Sequence, residues 1–281
     1  MIPSTVTIAG VDPSGGAGVL ADVKAMSALG AYANAVIAAL TAQNTQGLTG
    51  ISPVDPEFIT LQIDTLFEDV RIDAVKIGML GQQPVIRAVS DSMARWKPRY
   101  LVLDPVMVAK SGDHLLEKSA THELRESLIP QATMITPNLP EAAVLIEQRS
   151  AETVKEMYGA AEKLHRLFDH SDERWVFLKG GHLPGKDCTD LLYNGDQMVE
   201  MPALRIDTAN THGTGCTLSA ALAALLPQSP DTISAAKAAK QYLYKAIARA
   251  HELHIGKGHG PVHHFHQWWQ PESQIRNSDS N

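Results

Sequence analysis

Cysteine, aromatic residues and positive charge are all scarce in this sequence. Its 281 residues include two cysteines, and aromatic side chains make up 5% of the chain. Cys188 and Cys216 lie far apart, which excludes the dense disulfide framework of small secreted domains and favours a reducing cytoplasm. The net charge of −7, with no long basic run, argues against a nucleic-acid partner.

Long apolar runs and the commonest phosphate-binding signatures are also missing. The first residues, MIPSTVTIAGVDPSGGAG, lack the charged and then apolar order of a signal peptide, and no apolar stretch reaches membrane-spanning length. We therefore expect a cytoplasmic protein without a membrane partner. The sequence has no G-x-x-x-x-G-K-[ST] loop, and GGAG at residues 15–18 has the wrong spacing for a G-x-G-x-x-G fingerprint.

What the sequence does have is an alternation of strand-like and helix-like segments. Short apolar strands are predicted in STVTIAG, AVKIGML, YLVLDPVM, TMITPN and RWVFLKGG, with amphipathic helical segments between most of them. This order is typical of an α/β fold in which helices cover both faces of a mostly parallel central sheet.

Two further β-rich segments are expected to add small elements at the edges of that sheet. AYANAVIAALTAQNT is predicted to form a strand with a loop beginning near Gln43, and DLLYNGDQMVEMPAL a hairpin that turns at Asn194 and Gly195. No Pro/Ser-rich linker divides the chain. Residues 1–269 are therefore expected to form one domain, followed by a polar, disordered tail at 270–281.

Polar residues and glycines follow several of the predicted strands, where open α/β sheets bind their ligands. Taken singly, each has a simpler explanation: Asn138 could be a helix cap, Met79 a core residue and Asp104 a turn former. Their shared position carries the prediction. The residues in question are Gly10, Asp12, Asp22, Gln43, Met79, Asp104, Asn138, Glu141 and Lys179.

The stretch HGTGCTLSAA gives a more specific signal. The first N–H groups of a helix lack intrahelical acceptors and favour an anion, and glycines let the backbone approach a phosphate closely. The turn at residues 213–216 is therefore predicted to be an anion hole at the start of a helix. A simply capped helix is the alternative.

Eight motifs together make the sequence resemble a known family. They are AGVDPSGGAGVLADVKAMSALGAY, TAQNTQG, KIGML, LVLDPVMVAKSGDHLL, ITPNLPEA, LKGGH, THGTGCTLSAA and GKGHGPVHHF, and they run from about residue 6 to residue 265. In this order they resemble the ribokinase-like superfamily, and within it the hydroxymethylpyrimidine/phosphomethylpyrimidine kinases of thiamine biosynthesis. The sequence departs from that pattern at Leu20, where many relatives carry glutamine.

The resemblance implies two successive phosphorylations by a cytoplasmic homodimer. ATP and Mg²⁺ would be used first on 4-amino-5-hydroxymethyl-2-methylpyrimidine and then on its monophosphate, which becomes the diphosphate. It also implies where the pyrimidine binds, with Gln43 pairing with the amino group and a ring nitrogen. The implied pyrimidine-pocket residues are Gly10, Asp22, Gln43, Met79 and Val106.

The same resemblance implies three overlapping groups of residues around the phosphates. The catalytic group would be Gly213, Thr214, Gly215, Cys216 and Lys179. ATP would contact Lys179, Asn138, Thr211, Gly213 and Gly215. Magnesium would be held, largely through water, by Asp104, Asn138 and Glu141.

Cys216 occupies the position at which sugar kinases of the superfamily usually carry Asp, which argues against a sugar substrate. Our hypothesis is that a fixed carboxylate would repel the phosphate of the second substrate, whereas a thiol changes its charge. A helix N-terminus would lower the pKa of the thiol from about 8.5. Cys216 would then act as a thiolate base in the first step and as a neutral thiol in the second.

Several alternatives stay open at this stage. Pyridoxal kinase activity, alone or with pyrimidine kinase activity, is the first, and a non-catalytic binding protein with the same fold is the second. His259, His263, His264 and His266 could bind a metal, although a structural role is favoured. His212 could contact nucleotide or only shape the turn. Cys188 is expected to pack as a small hydrophobic residue.

Overall fold

A single nine-stranded sheet forms the centre of the protein. The computed structural model describes residues 1–107, 118–169 and 173–269. The strands lie in the order β3-β2-β1-β4-β5-β6-β7-β8-β9. The six strands from β2 to β7 in this order are parallel, whereas β3 at one edge and the β8–β9 pair at the other are antiparallel.

The strands are short in the middle of the sheet and longest at β1 and β2. Their bounds are β1 Ser4–Val11, β2 Tyr32–Asn44, β3 Gly47–Pro53, β4 Ala74–Ile77, β5 Leu101–Leu103, β6 Met134–Ile135, β7 Trp175–Leu178, β8 Asp190–Tyr193 and β9 Met198–Met201.

Eight α-helices are present in the described part of the chain. They are α1 Gly18–Ala28, α2 Pro56–Asp69, α3 Gln83–Trp96, α4 Lys118–Glu123, α5 Leu139–Leu145, α6 Val154–His165, α7 Thr214–Leu225 and α8 Thr232–Ala248. A π-helical turn, Leu124–Leu128, and a 3-10 turn, Ile129–Gln131, continue α4. None of the described helices has both the length and the apolar character needed to cross a membrane.

The core consists of two layers because successive side chains of a strand point to opposite faces of the sheet. In β5, Leu101 and Leu103 pack on the face covered by α2, α3, α5 and α6, whereas Val102 packs on the face covered by α1, α7 and α8. The α7 helix, with eight of its residues buried, is the central element of the second layer. Its N-terminus therefore lies close to the carboxyl ends of the parallel strands.

These observations confirm the predicted fold class, including the edge elements, and correct some predicted boundaries. The strand β2 continues through Asn44, so the loop expected from Gln43 is wrong. The Asn44 side chain accepts the backbone N–H groups of Gln46 and Gly47 at 2.8 and 3.3 Å, and this tight turn leads into β3. The helices α4 and α6 were not predicted. The tail at 270–281 lies outside the described residues.

Candidate active site

The turn at the start of α7 depends on Gly213, which has a left-handed backbone conformation with φ of +76°. A Cβ atom at this position would overlap the carbonyl oxygen of Gly16, so only glycine fits here. No described side chain caps this helix. The N–H groups of its first turn therefore remain available to an anion.

This turn forms part of the wall of a cleft with a volume of 480 Å³ at the carboxyl ends of the strands. The predicted residues that line the cleft are Gly10, Asp12, Gln43, Met79, Val106, Asn138, Glu141, Lys179, Thr211, Gly213, Thr214, Gly215 and Cys216. The structure thus brings together thirteen of the residues that the sequence assigned to the site. Asp22 and Asp104 are the two that it does not place on the wall.

The loop between β1 and α1 forms another part of the wall and is organised by Asp12. The Asp12 carboxylate accepts the N–H groups of Ser14 at 2.9 Å and Ala17 at 3.0 Å, and its Oδ2 lies 2.6 Å from Nε2 of His212. Burial opposes ionisation, but the hydrogen bonds from His212 and Ser14 outweigh it and lower the pKa of Asp12. Asp12 is therefore an ionised link between this loop and the start of α7.

Lys179 follows β7 directly, where a backbone bridge to Asn138 fixes the chain. Its Nζ atom lies 2.9 Å from Asp104 and 3.8 Å from Glu141, and its side chain is 15% exposed. Burial works against the charge, but the two carboxylates outweigh it and raise the pKa of Lys179. Lys179 is therefore a charged ammonium group at the wall of the cleft.

Asp104 lies behind Lys179 rather than on the cleft wall. It is 1% exposed, and Thr136 donates a hydrogen bond of 2.9 Å to the same Oδ1 that Lys179 contacts. Burial alone would raise the pKa of Asp104. The positive charges of Lys179 and Lys76 outweigh this effect and lower the pKa. Asp104 is therefore the counter-ion of Lys179, and its expected contact with magnesium through water stays a prediction.

Asn138 and Glu141 form a capping box at the start of α5. The Glu141 N–H donates to the Asn138 side chain at 2.8 Å, and the Asn138 N–H donates to Glu141 Oε2 at 2.8 Å. The suspected helix cap at Asn138 is thus real. Burial, together with the neighbouring Asp104 carboxylate, raises the pKa of Glu141 to about 7, although Lys179 opposes the shift.

Asp22, which the resemblance assigned to the pyrimidine pocket, is fully buried. Its Oδ2 accepts hydrogen bonds from Lys76 at 2.7 Å and from Thr7 at 2.6 Å. Asp22 is therefore not part of the cleft wall, because its carboxylate pairs with a buried lysine, and its assignment to the pyrimidine stays a prediction. Our sequence analysis missed Lys76, although a lysine inside the apolar strand AVKIGML is a usable signal.

Cys216 lines the cleft beside the anion hole, but its ionisation differs from the expectation. Burial raises the pKa of the thiol to about 11, with Lys76 opposing and Asp22 and Asp104 reinforcing the shift. We expected the helix N-terminus to lower the pKa of the thiol. This expectation is wrong, because loss of solvent and the buried carboxylates raise the pKa instead. Cys216 is therefore a neutral thiol near pH 7.

A second cavity, with a volume of 350 Å³, lies on the other side of the same turn. It shares six residues with the first: Asn138, Lys179, His182, Thr211, Thr214 and Gly215. Its remaining wall includes the apolar side chains of Leu204, Ile206, Leu243 and Ile247. The two cavities thus meet at the turn that starts α7 and at the Lys179 ammonium group.

The C-terminal segment, residues 256–269, contacts the start of α7 and the turn after β2. His212 donates its N–H to the carbonyl of Gly260 at 3.1 Å, and Nε2 of His264 lies 3.0 Å from the hydroxyl of Thr217. The His259 N–H donates to the carbonyl of Thr45 at 2.9 Å. These contacts give the histidine-rich segment a structural role.

Comparison with known proteins gives concordant results. Residues 12–263 match the family described as phosphomethylpyrimidine kinase. A hydroxymethylpyrimidine/phosphomethylpyrimidine kinase of Rhizobium meliloti is 48% identical over 270 residues, which cover 96% of this chain and 100% of the relative.

Solved structures show the same fold. An ADP complex of Bacillus subtilis pyridoxal kinase superposes with a TM-score of 0.86 at 32% identity, covering 96% of this chain and 100% of the other. A phosphomethylpyrimidine kinase of Clostridium difficile superposes with a TM-score of 0.77 at 37% identity, covering 87% and 99%.

Proposed function

The chain belongs to the phosphomethylpyrimidine kinase family, and we propose that its single cleft carries out both phosphorylations of thiamine biosynthesis. ATP phosphorylates 4-amino-5-hydroxymethyl-2-methylpyrimidine, and a second ATP converts the monophosphate to the diphosphate. The observation that carries this proposal is the meeting of two cavities at the anion hole of α7 and at Lys179.

The larger cavity suits the pyrimidine and the smaller one the nucleotide. Gln43 offers a donor and an acceptor together, as recognition of the amino group and ring nitrogen of an aminopyrimidine requires. The apolar side chains of Leu243 and Ile247 in the smaller cavity suit a nucleotide base. The transferring phosphoryl group then lies between them, at the turn shared by both cavities.

Catalysis in this arrangement depends on positioning and electrostatics. The attacking oxygen displaces ADP in line, and negative charge spreads over the equatorial oxygens of the phosphoryl group. The N–H groups of the first turn of α7 and the Lys179 ammonium stabilise that charge. Cys216, a neutral thiol, lies beside the nucleophile without repelling a phosphate.

Magnesium fits the acidic side of the site. Glu141 lines the cleft, and burial together with the neighbouring Asp104 carboxylate raises its pKa to about 7, although Lys179 opposes the shift. The Asn138 side chain is engaged in the helix cap, so contacts through water suit this site. A magnesium ion bound with ATP would neutralise phosphate charge.

Pyridoxal is the second candidate substrate. The fold similarity to the Bacillus subtilis pyridoxal kinase, with a TM-score of 0.86, favours it. ADP release from ATP should be measured with the pyrimidine alcohol, its monophosphate and pyridoxal. We expect the highest kcat/KM with the two pyrimidines, because Gln43 pairs with an aminopyrimidine edge. No ADP release with either pyrimidine would refute the proposed function.

We also propose that the enzyme acts as a homodimer in the cytoplasm. The two free cysteines suit a reducing compartment. Three large side chains at the β3–β2 edge of the sheet, Tyr32, Leu40 and Ile51, are 67%, 54% and 45% exposed, which suits a subunit contact. Sedimentation equilibrium of the purified protein tests the dimer; a monomer at micromolar concentration would contradict it.

A further inference from the structure

The second phosphorylation requires a place for a phosphate group that the first substrate does not carry. Among the described residues that line the larger cavity, the ionisable side chains are those of Asp12, Glu141, Lys179, His182, His212 and Cys216. The two carboxylates repel a phosphate, the thiol is neutral, and Lys179 and His182 also line the nucleotide cavity. His212 lines only the larger cavity.

The His212 ring is held along one edge. Its Nε2 atom lies 2.6 Å from Asp12 Oδ2, and a Cβ atom at Gly16 would overlap its Cδ2 atom. The ring edge that carries Cδ2 and Nε2 therefore faces the loop between β1 and α1. The Nδ1 atom belongs to the other edge, which points away from that loop.

Nδ1 of His212 has no hydrogen-bond partner within the part of the chain that the structure describes, although the whole residue is only 6% exposed. It is also not one of the polar atoms sealed from solvent. His212 lines the larger cavity, and its unpartnered nitrogen lies on the ring edge that points away from the loop between β1 and α1. Such an atom is suited to a ligand rather than to the fold.

The carboxylate of Asp12 determines which ring nitrogen of His212 carries a hydrogen. An ionised carboxylate only accepts hydrogen bonds, so Nε2 of His212 must carry a hydrogen. In the neutral ring, Nδ1 then has a free lone pair. A proton that Nδ1 gains makes the ring a cation, which the neighbouring Asp12 stabilises. The other charge near the loop is Lys24, whose ammonium group binds the Gly15 carbonyl at 2.8 Å.

We propose that Nδ1 of His212 binds the phosphate of the monophosphate substrate in the second phosphorylation and shares one proton with it. This inference rests on the proposed two-step function. The acidic proton of the phosphate monoester moves to or is shared with Nδ1, no covalent bond to the protein forms, and the phosphate oxygen remains free to attack ATP.

Two substitutions separate this role from the link to Asp12. The amide of His212→Gln reaches the position of Nε2 and retains a donor toward Asp12, but nothing replaces Nδ1. The shorter His212→Asn places its amide near Nδ1 and cannot reach Asp12. The measured quantity is kcat/KM with the alcohol and with the monophosphate, each supplied separately.

We expect His212→Gln to lower the ratio of monophosphate to alcohol kcat/KM by about tenfold or more, as the loss of a charged hydrogen bond implies. His212→Asn should lower both values but change their ratio less. A ratio in His212→Gln equal to that of the wild type would overturn the proposal and leave His212 as a loop anchor. If the wild type phosphorylates neither compound, the proposed function itself fails.

A measurement on the wild-type protein covers the case in which the variants do not fold. Nitrogen-15 NMR of histidine-labelled protein distinguishes an imidazole nitrogen that carries a proton from one that does not. We expect the Nδ1 signal of His212 to shift when the monophosphate is added without ATP, and not when the alcohol is added. An Nδ1 signal that is the same in both complexes would overturn the proposal.

Discussion

Lys179 has two roles, and a single substitution would affect both of them. It is the ammonium group shared by both cavities and the partner of the buried Asp104. We predict that Lys179→Ala lowers kcat/KM for ATP by about 10²- to 10³-fold, whereas the pyrimidine alcohol still binds. The variant should also be less stable by about 3–5 kcal/mol, because the buried Asp104 loses its ion-pair partner.

The double variant Lys179→Ala/Asp104→Asn separates the two roles. It removes the unpaired charge and should recover much of the free energy of unfolding, measured in urea, without recovering ATP kinetics. Steady-state kinetics and calorimetry of alcohol binding complete the test. Unchanged ATP kinetics in Lys179→Ala would show that this residue does not meet the phosphates.

For Cys216, the structure contradicts the hypothesis that a thiolate is the base of the first step. A thiol with a pKa of about 11 is not the base of the first step, so Cys216→Ser should keep most of the activity with both substrates. Cys216→Asp should lose more than tenfold more activity with the monophosphate than with the alcohol, because like charges repel. Values of kcat/KM for each step test this. An equal loss in both steps with Asp would exclude the charge argument.

Among the elements, the C-terminal segment depends on histidines that are buried in the neutral form. Burial lowers the pKa of His264 to about 3, below the value near 6.5 of an unfolded chain. The contribution of His264 to stability is therefore complete above pH 6.5 and is lost as the pH falls toward 3. Between pH 6.5 and pH 5 the loss should be about 2 kcal/mol.

The pH dependence can be assigned to His264 by substitution. His264→Gln should reduce the fall in unfolding free energy between pH 6.5 and pH 5, whereas His254→Gln, at an exposed position, should not. The fluorescence of Trp269, whose ring packs on those of His263 and Phe265, reports on the segment directly. A fall that is the same in His264→Gln and in the wild type would contradict this assignment.

The helix α1 is tied to the sheet by a buried ion pair. Lys76 in β4 and Asp22 in α1 are both fully buried, with 2.7 Å between Nζ and Oδ2. We predict that Lys76→Met costs about 3–5 kcal/mol of stability, because Asp22 is then buried alone. Lys76→Met/Asp22→Leu should be clearly more stable than Lys76→Met in chemical unfolding. If the second substitution adds to the loss, the pair is not the source of the effect.

For the whole molecule, the alternation of strands and helices was sufficient to predict the fold class, and the strand ends predicted much of the cleft. Gln43, Asn138 and Lys179 lie there because residues that end parallel strands meet at one edge of the sheet. The burial of a side chain is harder to predict. Asp104 follows a strand and Asp22 lies in α1, but their lysine partners are far away in the sequence, and sequence spacing does not reveal such pairs.

The pKa of Cys216 depends on the same long-range packing. Its position at a helix start is visible in the sequence, and that position alone predicts a lowered pKa. The burial and the Asp22 and Asp104 carboxylates that raise it come from elements that are far apart along the chain. Likewise, the contact of His212 with Asp12 joins residues 200 positions apart. Such a contact cannot be predicted from sequence spacing.

The central claim is that one cleft performs two successive phosphoryl transfers on a pyrimidine alcohol. Phosphorus NMR of a reaction with the alcohol, ATP and Mg²⁺ tests it most directly, because it identifies each product. We predict that a monophosphate signal appears first and is then replaced by the two coupled signals of a diphosphate ester. A reaction that stops at the monophosphate, or that yields a product only with pyridoxal, would contradict the account.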